Sequence, residues 1–168
     1  MNNTGETVNY VQGYVDTANG NKLVQFDPSN TTGAIRNARI TGTVSWTKVD
    51  DKTHDLLPGS EWALTKVKDA NDVKIEDAVS LTVIDNDKNA GAASDKWADS
   101  DNDDGKFKLE GLLPGTYTLV ETQAPFGYNL NDAGYEFKVF KDGSITWTEG
   151  KSPTIAGNNV YISDTLAT

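Results

Sequence analysis

Apolar and polar residues alternate with period two in run after run along this chain, and clusters of Gly, Pro, Asn and Asp separate the runs. Successive side chains on a strand point to opposite faces, so each run predicts a half-buried β-strand. Residues 7–26 predict a hairpin turning at Ala18-Asn19-Gly20. A strand is expected over 38–49, with Val44, Trp46 and Lys48 on one face and Ser45, Thr47 and Val49 on the other. Further strands are expected over 61–67, where Trp62 and Leu64 turn inward, and over 79–85. Residues 105–128 read as strand, tight turn, strand and then a Pro/Gly break, with the turn at Leu113-Pro114-Gly115-Thr116. A second hairpin is expected from 135–140 and 145–148 across an Asp-Gly turn, and a last strand over 158–165. The acidic stretch 86–104, anchored only by Trp97, and the segment around Pro153 and Gly157 read as surface loops. No segment sustains a 3.6-residue period, so the expected fold is all-β, a sandwich or Greek-key barrel with at most one short helix.

The same alternation places three charged side chains where apolar ones belong. Lys48 lies in line with Val44 and Trp46, Glu121 with Tyr117 and Leu119, and Asp164 with Val160 and Ile162. Burying one unpartnered charge costs several kcal/mol or forces neutralisation, so three such groups are best accommodated if they meet. A plain buried salt bridge satisfies the pattern, and a one-residue error in register would dissolve it.

Composition narrows the partners. Fifteen Lys and Arg stand against twenty-five Asp and Glu, a net charge of -10 that repels DNA and RNA. No apolar run reaches the ~20 residues of a membrane helix, and the first residues lack the basic and apolar regions of a signal peptide. Hydrophobic content of 36% with four Trp suffices for a core. The absence of Cys excludes disulfides, so an extracellular version of this domain needs another staple.

Several ordered motifs then carry a resemblance: Trp46-Thr47-Lys48-Val49-Asp50, Leu57-Pro58-Gly59-Ser60-Glu61-Trp62, Asp104-Gly105-Lys106-Phe107, Gly111-Leu112-Leu113-Pro114-Gly115-Thr116-Tyr117 and Val120-Glu121-Thr122-Gln123-Ala124-Pro125-Phe126-Gly127-Tyr128. Together they resemble the Cna-B-type domain of Gram-positive adhesins and SpaA-like pilins, over about residues 40–166. The resemblance implies a transthyretin-like or Ig-like β-sandwich over 41–168; it does not cover residues 1–40, which read from their own pattern as an N-terminal arm or extra hairpin, or the end of a preceding module. It also implies an intramolecular isopeptide bond from Lys48 to Asp164, assisted by Glu121. Asn158, of the same parity as Asp164, is the second-choice acceptor. An Asp acceptor would release water and an Asn acceptor ammonia. The implied role is a structural domain of a cell-wall-anchored surface protein that needs no cofactor and turns over no substrate. Its partners are neighbouring domains of a larger protein, with a monomeric fragment expected. The alternative is a ligand-binding adhesin module that meets a host protein or glycan through its loops. No sortase-type sorting signal or pilin linking motif occurs in the sequence.

Other chemical signals are weaker. Asp99, Asp101, Asp103 and Glu110 fit positions one, three, five and twelve of a calcium loop, but Asp104 stands where that loop requires Gly, so a solvated acidic loop is the preferred reading. His54 is the one His of the chain and sits in a polar turn, which supports neither a zinc site nor a Cys-His nucleophile. The many carboxylates show no glycosidase-like pairing beside a cleft. Trp97 and Trp147 are expected to pack rather than to stack on a sugar.

Overall fold

The computed structural model describes residues 38–88 and 95–168. The hairpin expected over 7–26 lies outside them. Strands run β1 Gly42–Asp50, β2 Glu61–Lys68, β3 Ser80–Ile84, β4 Lys106–Leu112, β5 Gly115–Gln123, β6 Gly134–Val139, β7 Ile145–Trp147, β8 Thr154–Ala156 and β9 Asn159–Asp164. They form a four-stranded sheet ordered β4-β1-β9-β8 and a five-stranded sheet ordered β3-β2-β5-β6-β7. No helix occurs among the described residues.

The inward positions of both sheets meet in one core. Trp46 stacks on Phe107 with centroids 4.7 Å apart, and Trp62 meets Trp46 edge-on at 5.4 Å. Leu64, Leu109, Leu112, Leu119, Phe137 and Ile162 fill the remaining space and are nearly inaccessible to solvent. Truncating one such Trp to Ala costs about 3–5 kcal/mol, so this cluster fixes how the sheets sit on each other. Trp97 and Trp147 pack against it from the periphery, as expected.

Two features of the topology bear on chemistry. The first and last strands of this sandwich are parallel neighbours, with Lys48 opposite Ile162 and Asp50 opposite Asp164. Across the core, β5 lies between β2 and β6, and its register sets Trp62 opposite Glu121. That register is established at Gly115, where the connection from β4 is only Leu113 and Pro114. A Cβ on Gly115 would stand 2.6 Å from the Lys68 carbonyl oxygen at a φ of 153°, so no larger residue lets β5 start so close to β2.

The structure departs from the sequence reading in three places. β1 begins at Gly42 rather than at 38, because residues 38–41 are exposed and a bulge follows Gly42 in the pairing with β4. The polar segment between Pro153 and Gly157 is not all loop. It holds β8, whose residues are all exposed, so no buried face left a periodic trace. Residues 95–104 are not a freely solvated loop. Lys96 bridges Thr82, and Asp99 is buried with its carboxylate accepting the amides of Asn86, Asp101 and Lys108.

Candidate functional site

Lys48 is held from both directions by backbone. Its N–H donates to the Gly105 carbonyl at 2.8 Å, and its carbonyl accepts from Leu57 N–H at 2.9 Å. The segments bearing those groups are themselves tied together. The Asp85 carboxylate accepts the amides of Gly59 and Gly105, at 2.8 and 2.9 Å to Oδ2. Gly105, at φ 81°, would press a Cβ to 3.0 Å from the Leu57 carbonyl oxygen, so glycine is required where the two segments cross. The Leu-Pro-Gly-Ser and Asp-Gly motifs therefore converge on one task, clamping the strand that carries the lysine.

The three inward charges do meet. Lys48 Nζ lies 2.5 Å from Asp164 Oδ1 and 2.7 Å from Glu121 Oε1, with all three side chains shut off from solvent. Lys48 and Asp164 come from neighbouring strands of one sheet, and Glu121 reaches in from the other. The Trp62 ring lies 5.2 Å from Nζ and forms an apolar wall on which a cation can rest. Glu121 Oε2 accepts the Asn131 N–H at 3.0 Å, whereas Asp164 Oδ2 is buried with no hydrogen-bond donor among the described residues.

Burial is the largest influence on Glu121 and pushes its carboxyl above the ordinary 4.5. The Asp164 charge adds to that rise, while Lys48 and the Asn131 amide oppose it. A carboxyl that holds its proton more tightly than usual, beside an amine and a second carboxyl, is equipped to accept and return protons.

Other positions singled out by sequence fall elsewhere. Asn158 is exposed in the turn between β8 and β9, not on an inward strand position. The proposed calcium positions do not converge: Asp99 is occupied by backbone amides, Asp101 caps Asp103 N–H, Asp103 pairs with Lys106 and Glu110 with Lys108. Among the described residues no group of three or more His, Cys, Asp or Glu side chains is arranged to hold a metal. His54 is exposed at φ 65° in the turn after β1.

Asp50 is a buried charge that the sequence reading passes over, although it shares the parity of Lys48 two positions earlier. Its carboxylate caps the following turn by accepting Thr53 and Lys52 N–H and takes the Tyr128 hydroxyl at 2.7 Å. The Thr53 amide, then the Tyr128 hydroxyl and the Lys52 amide, hold its pKa at about 2 instead of 3.8. A carboxyl with a lowered folded-state value contributes stability that is complete above about 3.8 and lost as pH falls through about 2. Tyr128→Phe is expected to raise the Asp50 midpoint and move the onset of acid unfolding to higher pH. A side-chain carboxyl NMR titration checks the first effect and circular dichroism the second.

The architecture and the buried triad define a class: a two-sheet prealbumin-like β-sandwich with a lysine and two carboxyls enclosed between its sheets. The model of the SpaA prealbumin-like fold domain matches residues 42–151, and the chain belongs to that family. The match spans β1 to β7, and so includes Lys48 and Glu121 while ending before β9. No curated protein matches the chain. Among solved structures, the pilus adhesin RrgA from Streptococcus pneumoniae is 19% identical with a TM-score of 0.53, over 77% of this chain and 15% of that one. The shaft pilin spaA from Lactobacillus rhamnosus GG is 23% identical with a TM-score of 0.41, over 76% of this chain and 48% of that one. The pilus 2b backbone protein of group B streptococcus is 24% identical with a TM-score of 0.40, over 76% and 40%. The chain thus spans less than half the length of each of these structures. The RrgA match supports the fold.

Proposed function

We propose that this domain is a load-bearing module of a Gram-positive surface pilus or adhesin, made permanent by an isopeptide bond from Lys48 Nζ to Asp164 Cγ. The observation that carries the reading is the contact of Nζ with both carboxyls inside a closed core. Buried ion pairs in general are an inefficient source of stability, because desolvation offsets most of the attraction. A triad that reacts leaves a neutral amide in place of two buried charges.

The chemistry balances without a cofactor. The Lys48 ammonium passes a proton to Glu121, and the neutral amine attacks Asp164 Cγ. The nitrogen then loses a second proton, again by way of Glu121. Both protons end on the departing Asp164 oxygen, so an ammonium and a carboxylate become an amide and one water. Glu121 finishes in the state in which it began. The fold supplies proximity: a preorganised contact replaces an encounter, an effect worth roughly 7–11 kcal/mol of barrier in well-oriented systems. Each chain reacts once, so the domain is its own substrate and has no turnover.

Such a bond blocks trypsin at Lys48 and joins two distant peptides. Digestion of the denatured protein is expected to release residues 40–52 linked to residues 152–168 as one branched species. Recovery of the two as separate linear peptides, with cleavage after Lys48, would refute the reading.

A further inference from the structure

The segment that follows β5 runs back along the end of β9 as a strap. Gly127 carbonyl accepts Ala167 N–H at 2.9 Å, and Asn129 N–H donates to the Thr165 carbonyl at 2.9 Å. Asn131 forms the third rung by a different means, its side-chain Nδ2 donating to the Ser163 carbonyl at 3.2 Å. Alternate residues of the strap thus meet alternate residues of the C-terminal chain, and the last rung falls on the residue next to Asp164. The same Nδ2 donates to the Tyr135 hydroxyl at 3.0 Å, anchoring the rung to β6. Asn131 Oδ1 accepts Ala133 N–H at 3.1 Å, which fixes the side chain in a local turn.

Asn131 touches the triad from its other end as well. Its main-chain N–H donates to Glu121 Oε2 at 3.0 Å. That bond assigns the two oxygens of Glu121 different work: Oε2 is engaged as an acceptor, and Oε1 is the oxygen 2.7 Å from Lys48 Nζ. A transferable proton therefore belongs on Oε1, facing the amine. Side chain and main chain of one residue fasten the acceptor strand and the proton relay to a single rigid point.

We infer that Asn131 is a positioning residue for the cross-linking reaction, holding Glu121 Oε1 toward Lys48 while its side chain sets the Asp164 strand against Glu121. This role rests on the isopeptide reading above. Asn131 contacts neither Lys48 nor Asp164 side chains by hydrogen bond, so it acts only through Glu121 and the Ser163 carbonyl. The groups facing Glu121 are Lys48 from β1, Asp164 from β9, Trp62 from β2 and the Asn131 amide from the strap.

Two substitutions separate this role from simple structure. Asn131→Asp keeps an oxygen for Ala133 N–H but cannot donate to Ser163, and it brings a negative charge beside Glu121. Asn131→Ala removes every side-chain rung. The full chain is collected unfolded in denaturant directly after cell-free synthesis and refolded by dilution at a series of pH values, with bond formation followed by intact mass. Both variants are expected to react at least tenfold more slowly than wild type. The rate profile of Asn131→Asp is also expected to shift to higher pH, since the added charge favours protonated Glu121. In the unreactive background Asp164→Ala, adding Asn131→Asp is expected to raise the Glu121 midpoint in a carboxyl NMR titration. Wild-type rates and profiles in both variants would overturn the role of Asn131 and leave the bond standing. A wild-type chain that never loses water would overturn the bond and this role together.

Discussion

Pulled from its two ends, the folded domain is expected to yield almost no length from the chain between Lys48 and Asp164. The two residues are 116 positions apart in sequence, yet they sit on adjacent parallel strands. Force entering through β1 would pass along the Lys48 side chain, across the amide and out through β9. The intervening strands would be bypassed. At roughly 3.4 Å per extended residue, an uncrosslinked domain releases about 390 Å on unfolding. Single-molecule stretching checks this directly. Glu121→Gln is expected to show the full release, and wild type none of the length held between Lys48 and Asp164. Full release from wild type would mean that hydrogen bonds alone hold the first and last strands.

The second large effect is on stability. Closing a loop of this length removes conformational freedom from the unfolded chain, and the entropic model for cross-links gives about 5 kcal/mol for a loop of this order. Glu121→Gln keeps the shape of the side chain, so its loss of stability reports mainly the missing bond. A fall of about 15–20 °C in melting temperature is expected for a domain of this size, measured by calorimetry. Lys48→Ala should be worse, because it leaves two carboxyls buried without their cation, a change that costs about 3–5 kcal/mol beyond the bond. That variant is expected to be largely unfolded at ambient temperature. Equal melting points for wild type and Glu121→Gln would contradict a covalent contribution.

The central triad was legible in the sequence because strand parity is a strong constraint. Lys48, Glu121 and Asp164 each interrupt an apolar face that is otherwise regular, and the structure brings a carboxylate oxygen of each acid within 2.7 Å of Lys48 Nζ. The Pro-Gly turn before β5 was legible for the same reason, since it sits between two alternating runs. What parity does not reach is anything set by loops. Asn131 and Asp99 lie outside the strands, and their hydrogen bonds to Glu121 and Asn86 join segments that meet only in three dimensions. β8 escaped because an exposed three-residue edge strand has no inward face to mark it. Asp50 was within reach, being two positions beyond Lys48, but a charge at a strand end reads as the start of a turn. It is in fact both, buried on one side and capping the turn on the other.

Glu121 gains most from the comparison of sequence with structure. Alternation explains why its side chain points inward, but the split between its two oxygens depends on the strap. Oε2 is engaged by Asn131 and Oε1 faces Lys48. An unassisted buried Lys-Asp pair would be a salt bridge of uncertain benefit. In the proposed reaction, a carboxyl that burial pushes toward its protonated form is the group that would let the same pair react.

The most direct test is the intact mass of the purified, denatured domain beside Glu121→Gln and Asp164→Ala. The account predicts wild type lighter than its sequence by one water and both variants at their sequence mass. An unshifted wild type, or a wild type lighter by one ammonia, would contradict it.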